Sequence, residues 1–502
     1  MLRNYTRQLS NTLPAAGLAL ALVGCGGDTS SPAVSDQPLG QASGTVGILL
    51  TDKPADPDLF SAVNATIARI ELLRDDDDDD DAKVVVYSGD PQTVNLLRLK
   101  HESIPFSFRE DVPAGEYCKV RLILDDLELV LADDTPADDM DNERHHPRLP
   151  GNGKLDLVVR DCFRVAANQV TTLQLDLDAG NSIHINRTGQ GFNFRPVAFV
   201  DVIKHQFDGK LIRLNGQIDA VNPGDNNLRL CGALPVFQSE TRQCTRIQLG
   251  EAAAFFDNQQ HGGAPRPLSE LLDATMVGQS VTVVGRPHVP ETPQGLLGEA
   301  DPAWLEVTAL AVEYGDFIQL QGTAAGNADP EGFEAALEPG PVAVDGNLSV
   351  ALQTGAPGVN GTRIVAKTGE LLEPTQIIAG RPVSLDGVLQ IGTDSEATLR
   401  AALVIVDTAA VSGGLPLSGT VLTPQAGGFT LSPTAAACGF VGDLLVRTDD
   451  DTDILTVSID TEGSVIDPGG EIASGQDVTV TGVCENGAFS AATVIILNDS
   501  RN

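Results

Sequence analysis

Gly278-Gln279-Ser280-Val281-Thr282-Val283-Val284-Gly285 sets a short run of alternating polar and apolar residues between two glycines. The pattern Gly-x-x-Val-x-[Val/Leu]-x-Gly returns at Gly380 to Gly387 and at Gly475 to Gly482. Each copy follows a Leu-x-Gly element, at Leu214-Asn215-Gly216, Leu320-Gln321-Gly322 and Leu417-Ser418-Gly419, by 62, 58 and 56 residues counted from glycine to glycine. The opening glycines are 106 and then 97 residues apart, and each unit closes in an apolar run, at 305–312, 399–406 and 489–497. Agreement in three places marks an internal repeat. A period-two strand between glycines suits a small closed barrel, because glycine lets the chain bend sharply at the corners. The expectation is three OB-like barrels, over 208–314, 315–410 and 411–502, with a short helical turn at Ser269 to Leu272 in the first.

Working outward toward the N-terminus, alternation dominates. Val46, Ile48 and Leu50 precede Thr51-Asp52-Lys53-Pro54; Val63, Ala65, Ile67, Ile70 and Leu72 follow, then Val84 to Tyr87. Further runs centre on Val120 to Leu124, Leu155 to Val159, Val170 to Leu177 and Phe194 to Val202. Eight or more short strands without a helical period predict an antiparallel β-sandwich over 44–205. The fold class read from sequence is therefore all-β, a sandwich followed by three barrels. A chain of 502 residues also exceeds the ~250 to 300 that one core serves, so several modules are required.

The first residues read as an address. Arg3 and Arg7 precede an apolar stretch from Leu13 to Val23, shorter than the ~20 residues a spanning helix needs. It ends in Leu22-Val23-Gly24-Cys25, which resembles the lipobox of bacterial lipoproteins. That resemblance implies a signal peptide over 1–24 and lipidation of Cys25, whose acyl chains would hold the protein on a membrane. Gly26, rather than Asp, follows the cysteine, which implies the outer membrane, on its periplasmic or surface side. Residues 25–43 are rich in Gly, Ser, Asp and Pro and read as a flexible tether.

Two further resemblances concern the folded part. Gly44-Thr45-Val46-Gly47-Ile48-Leu49-Leu50-Thr51-Asp52-Lys53-Pro54, Pro113-Ala114-Gly115-Glu116-Tyr117, and Phe192 to Val202 with Pro196 resemble the bacterial and archaeal domain of unknown function numbered four-three-eight-two. The glycine-bounded repeats are similar to the domain of unknown function numbered five-six-six-six. Both families imply architecture and an exported setting, and neither lends a catalytic residue.

Seven cysteines are present, and setting Cys25 aside leaves six. An even number in an exported chain reads as disulfides, with 15 connectivities open for six cysteines. If every pair stays within one module, the bonds are Cys118 to Cys162, Cys231 to Cys244 and Cys438 to Cys484. No Cys-x-x-Cys or Cys/His cluster supports zinc instead.

The charge balance excludes one class of partner. Lys and Arg number 32 against 69 Asp and Glu, a net charge of -37, which repels nucleic acid. An OB-like barrel that binds single strands also needs aromatic platforms in a basic groove, and the chain has one tryptophan, Trp304. The acidic runs Asp75 to Asp81, Asp133 to Glu143 with His145 and His146 behind it, and Asp449 to Asp453 invite calcium. None matches an EF-hand loop, so solvated loops are the preferred reading and weak calcium binding the alternative. No metal ligand set or cofactor is expected.

The sequence carries no recognisable catalytic motif. Gly-x-Ser-x-Gly, a Walker loop and His-Glu-x-x-His are all missing; His101-Glu102 lacks the second histidine, and His184 and His205 stand alone. The sequence thus predicts a non-enzymatic, lipid-anchored cell-envelope protein acting as an extended binding or spacer module, with an envelope protein or glycan as partner. The alternatives are a calcium-dependent adhesion or glycan-binding lipoprotein and, from another class, a hydrolase with a site between domains.

Overall fold

Along Gly115–Leu131 the side chains of Val120, Leu122 and Leu124 are buried, and so are Leu127, Leu129 and Leu131, with the phase changing between the two sets. The change is a β-bulge: Thr66 pairs with Asp126 and Ile67 with Leu124, leaving Asp125 as the extra, exposed residue. This strand is the centre of one sheet of the N-terminal sandwich. The computed structural model describes residues 42–500 apart from 53–59, 75–82, 133–143, 186–191, 195, 204–209, 233–243, 289–304, 340–341, 343–345, 392–396, 409–416, 435–441, 450–451 and 486–487.

The sandwich has two four-stranded layers. One runs Ala198–Ile203, Val170–Leu177, Ser43–Thr51, Glu102–Pro113; the other runs Lys154–Val165, Gly115–Leu131, Phe60–Leu73, Val84–Asn95. Ser43–Thr51 pairs antiparallel with Glu102–Pro113 but parallel with Val170–Leu177, so one parallel pair sits within otherwise antiparallel layers. Val46, Ile48, Val63, Ile67, Tyr117 and Leu122 belong to the core between the layers.

Each repeat closes into a five-stranded barrel. In barrel one the strands are Leu211–Asn222, Asn227–Cys231, Cys244–Gln248, Ser280–His288 and Glu306–Tyr314. The first pairs with the second and fourth, the second with the third, and the fourth with the fifth, all antiparallel; the third meets the fifth in parallel. Barrel two repeats this order with Ile318–Ala324, Gly332–Leu337, Leu348–Leu352, Pro382–Ile391 and Ala397–Val406. Barrel three does so with Leu417–Gln425, Gly428–Pro433, Leu444–Arg447, Asp477–Glu485 and Ala488–Asp499. This closed order is that of an OB-like barrel. The short helix of barrel one is Leu268–Leu271.

The repeated glycines have two distinct jobs. Gly278, Gly380 and Gly475 take φ of 89°, 87° and 86°, a backbone conformation that other residues adopt at a cost. Their N–H groups donate to the carbonyls of Ile218, Ala324 and Val421 at 2.7, 2.8 and 2.8 Å, which closes the corner before the fourth strand. Gly285, Gly387 and Gly482 instead lie where the fourth strand bulges against the fifth. A Cβ there would stand 2.3, 2.4 and 2.0 Å from the carbonyl oxygens of Thr308, Arg400 and Ser490.

The modules are fused rather than strung out, which corrects the expectation of an extended array. Glu102 and Ser103 of the sandwich pair in parallel with Leu211 and Ile212 of barrel one. Ser464–Pro468, an added strand of barrel three, pairs in parallel with Leu155 to Leu157 on the edge of the second sandwich layer, and Leu455, Val457, Ile459 and Ile466 join the sandwich core. Barrels one and two share an apolar cluster that includes Leu211, Phe256, Val284, Val365, Leu403 and Ile405. The cause is the sheet edge: an unpaired row of N–H and C=O groups gains partners when a neighbouring module supplies the next strand.

Two disulfides are present among the described residues. Cys118–Cys162 ties two neighbouring sandwich strands, and Cys231–Cys244 joins directly opposed residues of the second and third strands of barrel one. Cys484 is disulfide-bonded as well, while Cys438 and Cys25 lie outside the described residues. Among the described residues no helix is long and apolar enough to cross a membrane.

Candidate functional site

The opening motif builds one wall of the site. Thr51 Oγ1 donates to the carbonyls of Leu99 and Glu102 at 3.1 and 2.9 Å, and Asp52 N–H donates to Leu99 at 3.3 Å, so Thr51-Asp52 fixes the bend that leads into Glu102–Pro113. Asp52 is itself fully buried and accepts from Ala179 N–H at 2.9 Å; burial pushes its carboxyl well above the usual range. At the end of this bend stand Lys100, His101 and Glu102, all buried where the sandwich meets barrels one and two.

Arg213, on the first strand of barrel one, reaches Glu102 with a two-pronged grip, Nε to Oε2 at 2.5 Å and a terminal nitrogen to Oε1 at 2.9 Å. The same guanidinium donates to Asp386 on the fourth strand of barrel two and lies 3.9 Å from Glu313 on the fifth strand of barrel one. Gln319 of barrel two adds a hydrogen bond to Glu102 at 3.2 Å. Nearby, Lys100 pairs with Glu338, and His101 Nδ1 shares a 2.7 Å hydrogen bond with the Ser384 hydroxyl.

The charges do not cancel. One guanidinium faces three carboxyls whose side chains are 2–3% exposed, and Glu313 Oε1 and Asp386 Oδ1 have no hydrogen-bond partner among the described residues. Burial works against the Arg213 charge, yet Asp386 and Glu102 more than offset it and hold its pKa well above the usual value. Burial, with Asp386 beside it, pushes Glu313 well above the carboxylate range. Asp386 is raised by burial to about 6 even though Arg213 pulls the other way. His101 moves oppositely: burial drives it down to about 3, so it is neutral at ordinary pH.

Glu102 and Arg213 form the floor of a cleft of about 460 Å³ between the sandwich and the two barrels. Its polar lining is mostly amide: Asn64, Gln92, Asn95, Asn215 and Gln319, with Arg98 exposed at the rim. Asn95 spends its side-chain oxygen on Val63 and Leu97 N–H, and Asn215 spends its own on Thr282, so that among the described residues both NH₂ groups stay uncommitted. Val94, Leu99, Ile104 and Phe106 supply an apolar wall. Such a cleft can hold a ligand by hydrogen bonds along one side and apolar contact along the other. Glu313 and Asp386 do not line it.

The sequence-selected residues distribute unevenly. His101-Glu102, set aside as an incomplete motif, supplies two members of the junction. His146 is exposed and lies 3.0 Å from Asp126, and neither residue lines the cleft. His184 pairs with Asn193 across a two-stranded ribbon. His205, Trp304 and the runs 75–81 and 133–143 lie outside the described residues, as do Asp450 and Asp451. Among the described residues no three His, Cys, Asp or Glu side chains are grouped to hold a metal. Arg213, Glu313 and Asp386 were not singled out by sequence. The available signal was a lone charge inside an apolar run, as in Leu211-Ile212-Arg213-Leu214.

Residues 43–196 match the family described as Domain of unknown function (DUF4382). That span holds every sandwich strand but the last, and Glu102 with it. No curated protein matches the chain. Among solved structures, a deletion mutant of the single-stranded DNA-binding protein from Thermus aquaticus is 15% identical, with 39% of this chain and 92% of that one covered and a TM-score of 0.13. The drosophila Unr CSD456 structure is 11% identical, with 57% and 95% covered and a TM-score of 0.16. Scores this low carry no argument about ligand.

Proposed function

We propose that this chain is a non-enzymatic, lipid-anchored binding module of the cell envelope, with the amide-lined cleft as its binding site. The observation that carries the reading is the cleft itself, whose walls come from three modules fixed to one another by paired strands and by the Arg213 contacts. A site of this kind is pre-organised, so little ordering has to accompany binding. The acids with raised pKa stand behind Glu102 and Arg213, out of reach of a molecule in the cleft, which favours binding over hydrolysis. Uncommitted amides and a single rim guanidinium suit a hydrogen-bonding partner such as a glycan; a polyanion would meet the net charge of -37. Lipid attachment at Cys25 would keep the protein on the membrane.

The test is capture by the full chain in detergent, against envelope extracts and a glycan array, beside Asn215→Trp, which fills the cleft from an exposed position. A partner held by the parent and released by the variant is expected. Equal capture by both proteins would remove the cleft from the function. Movement of Cys25→Ala from the membrane to the soluble fraction is expected in parallel, and unchanged fractionation would remove the anchor.

A further inference from the structure

The Arg213 junction buries more negative than positive charge. Fully ionised, Glu102, Glu313 and Asp386 around one guanidinium carry a net charge of two negatives, in side chains that are 2–3% exposed. Two of their oxygens find no donor among the described residues. An unpaired buried charge is among the costliest features a fold can hold, whereas a protonated carboxyl in the same place is neutral. The members also belong to different modules: Glu102 to the sandwich, Arg213 and Glu313 to barrel one, Asp386 to barrel two.

We propose that this junction is a pH-operated latch that holds the sandwich against barrels one and two in acid and loosens along the cleft as the pH rises. Its functional meaning rests on the binding-cleft reading, because Glu102, Arg213 and Gln319 serve both the latch and the cleft floor.

The groups around the junction leave its excess charge unanswered. From the sandwich, Lys100 is matched by Glu338 of barrel two, and His101 is neutral. From barrel two, Lys367 is matched by Asp407 at 3.2 Å. Between sandwich and barrel one, Lys210 lies 3.9 Å from Asp176 and donates to the Asp52 carbonyl. Protons are therefore what neutralises the hub. With Glu313 and Asp386 protonated, Arg213 and Glu102 form a neutral pair; as Asp386 ionises near pH 6 the hub becomes negative, and Glu313 adds to it at higher pH. Both folded pKa values lie above the unfolded ones, so the closed state is favoured at low pH and loses that advantage as pH rises.

Hydrogen exchange read by mass spectrometry on the full chain tests this. Rates for peptides across 99–106 and 382–388 are divided by the intrinsic chemical rate at each pH from 5 to 8. The corrected rates are expected to rise at least about ten-fold, because only the part of the Asp386 displacement lying between pH 5 and its folded value of about 6 is lost over this range, while peptides across 417–425 in barrel three stay level. Asp386→Asn and Glu313→Gln, measured separately so that either can serve if the other does not fold, should each flatten the rise. A level parent profile would overturn the proposal, and so would a rise that persists in the variants. A rise cancelled by 5 mM calcium would overturn it too, by showing that a cation rather than protons answers the charge. Loss of partner capture at constant pH bears on the cleft alone, so the two readings fail separately.

Discussion

Gly380 and Gly387 belong to one motif but are predicted to resist substitution for different reasons and by different amounts. At Gly387 an alanine Cβ would lie 2.4 Å from the Arg400 carbonyl oxygen and 2.9 Å from Leu399 Cγ. Ordinary contact starts near 3.4 Å, so the fourth and fifth strands of barrel two must separate by about 1 Å. A shift of that size removes the neighbouring ladder bonds, worth about 1 kcal/mol each, in addition to about 1 to 3 kcal/mol for overpacking. Two such bonds bring the loss to about 3 to 5 kcal/mol. At Gly380 nothing lies within 4 Å of the added atom, and only the backbone at φ 87° is strained, which costs about 1 to 2 kcal/mol. Part of that is recovered because alanine restricts the unfolded chain. Calorimetry together with native-state exchange across Pro382–Ile391 would measure both. Gly387→Ala should speed exchange there on the order of 100-fold or more, and Gly380→Ala only several-fold. A Gly387→Ala loss equal to or below that of Gly380→Ala would refute the close-approach argument.

Further outcomes follow from the same geometry. Replacing Cys118 and Cys162 together by serine should cost about 4 kcal/mol and replacing Cys231 and Cys244 about 3 kcal/mol, since the loops close separations of 44 and 13 residues; denaturant titration of the two variants checks the order, and a reversed order would contradict loop entropy as the source. His101 refuses a proton in the folded state until about pH 3, whereas the unfolded chain accepts one near pH 6.5, so its contribution is full above pH 6.5 and is lost as pH falls toward 3. His101→Gln should therefore flatten the acid side of the melting-temperature profile, and an unchanged acid limb would show that burial of His101 does not govern it.

Much of the fold was legible in the sequence because it rests on local signals. Period-two alternation named the sandwich strands, and the glycine spacing named the barrels, since positive φ at Gly278, Gly380 and Gly475 and close backbone approach at Gly285, Gly387 and Gly482 leave no other residue type comfortable. Confining cysteines to their modules named Cys118–Cys162 and Cys231–Cys244 correctly, because each pair lies on adjacent strands of one sheet. The bulge at Asp125 was visible only as a break in alternation.

The candidate site was not legible in this way. Arg213 meets Glu102 across 111 residues of chain and Asp386 across 173, and no local pattern encodes which strand edges will come together. His101-Glu102 lacks the second histidine of a metal motif, and the residues it meets, Ser384 and Arg213, lie in other modules. The sequence by itself determined the strands, their glycine corners and the modules they build, since steric limits on the backbone and the alternation of side chains act within a few residues. Tertiary structure alone decided that barrel three completes a sandwich edge, that barrels one and two share an apolar face, and that three carboxyls surround one guanidinium, since long-range edge pairing and desolvation take effect only once the modules have packed.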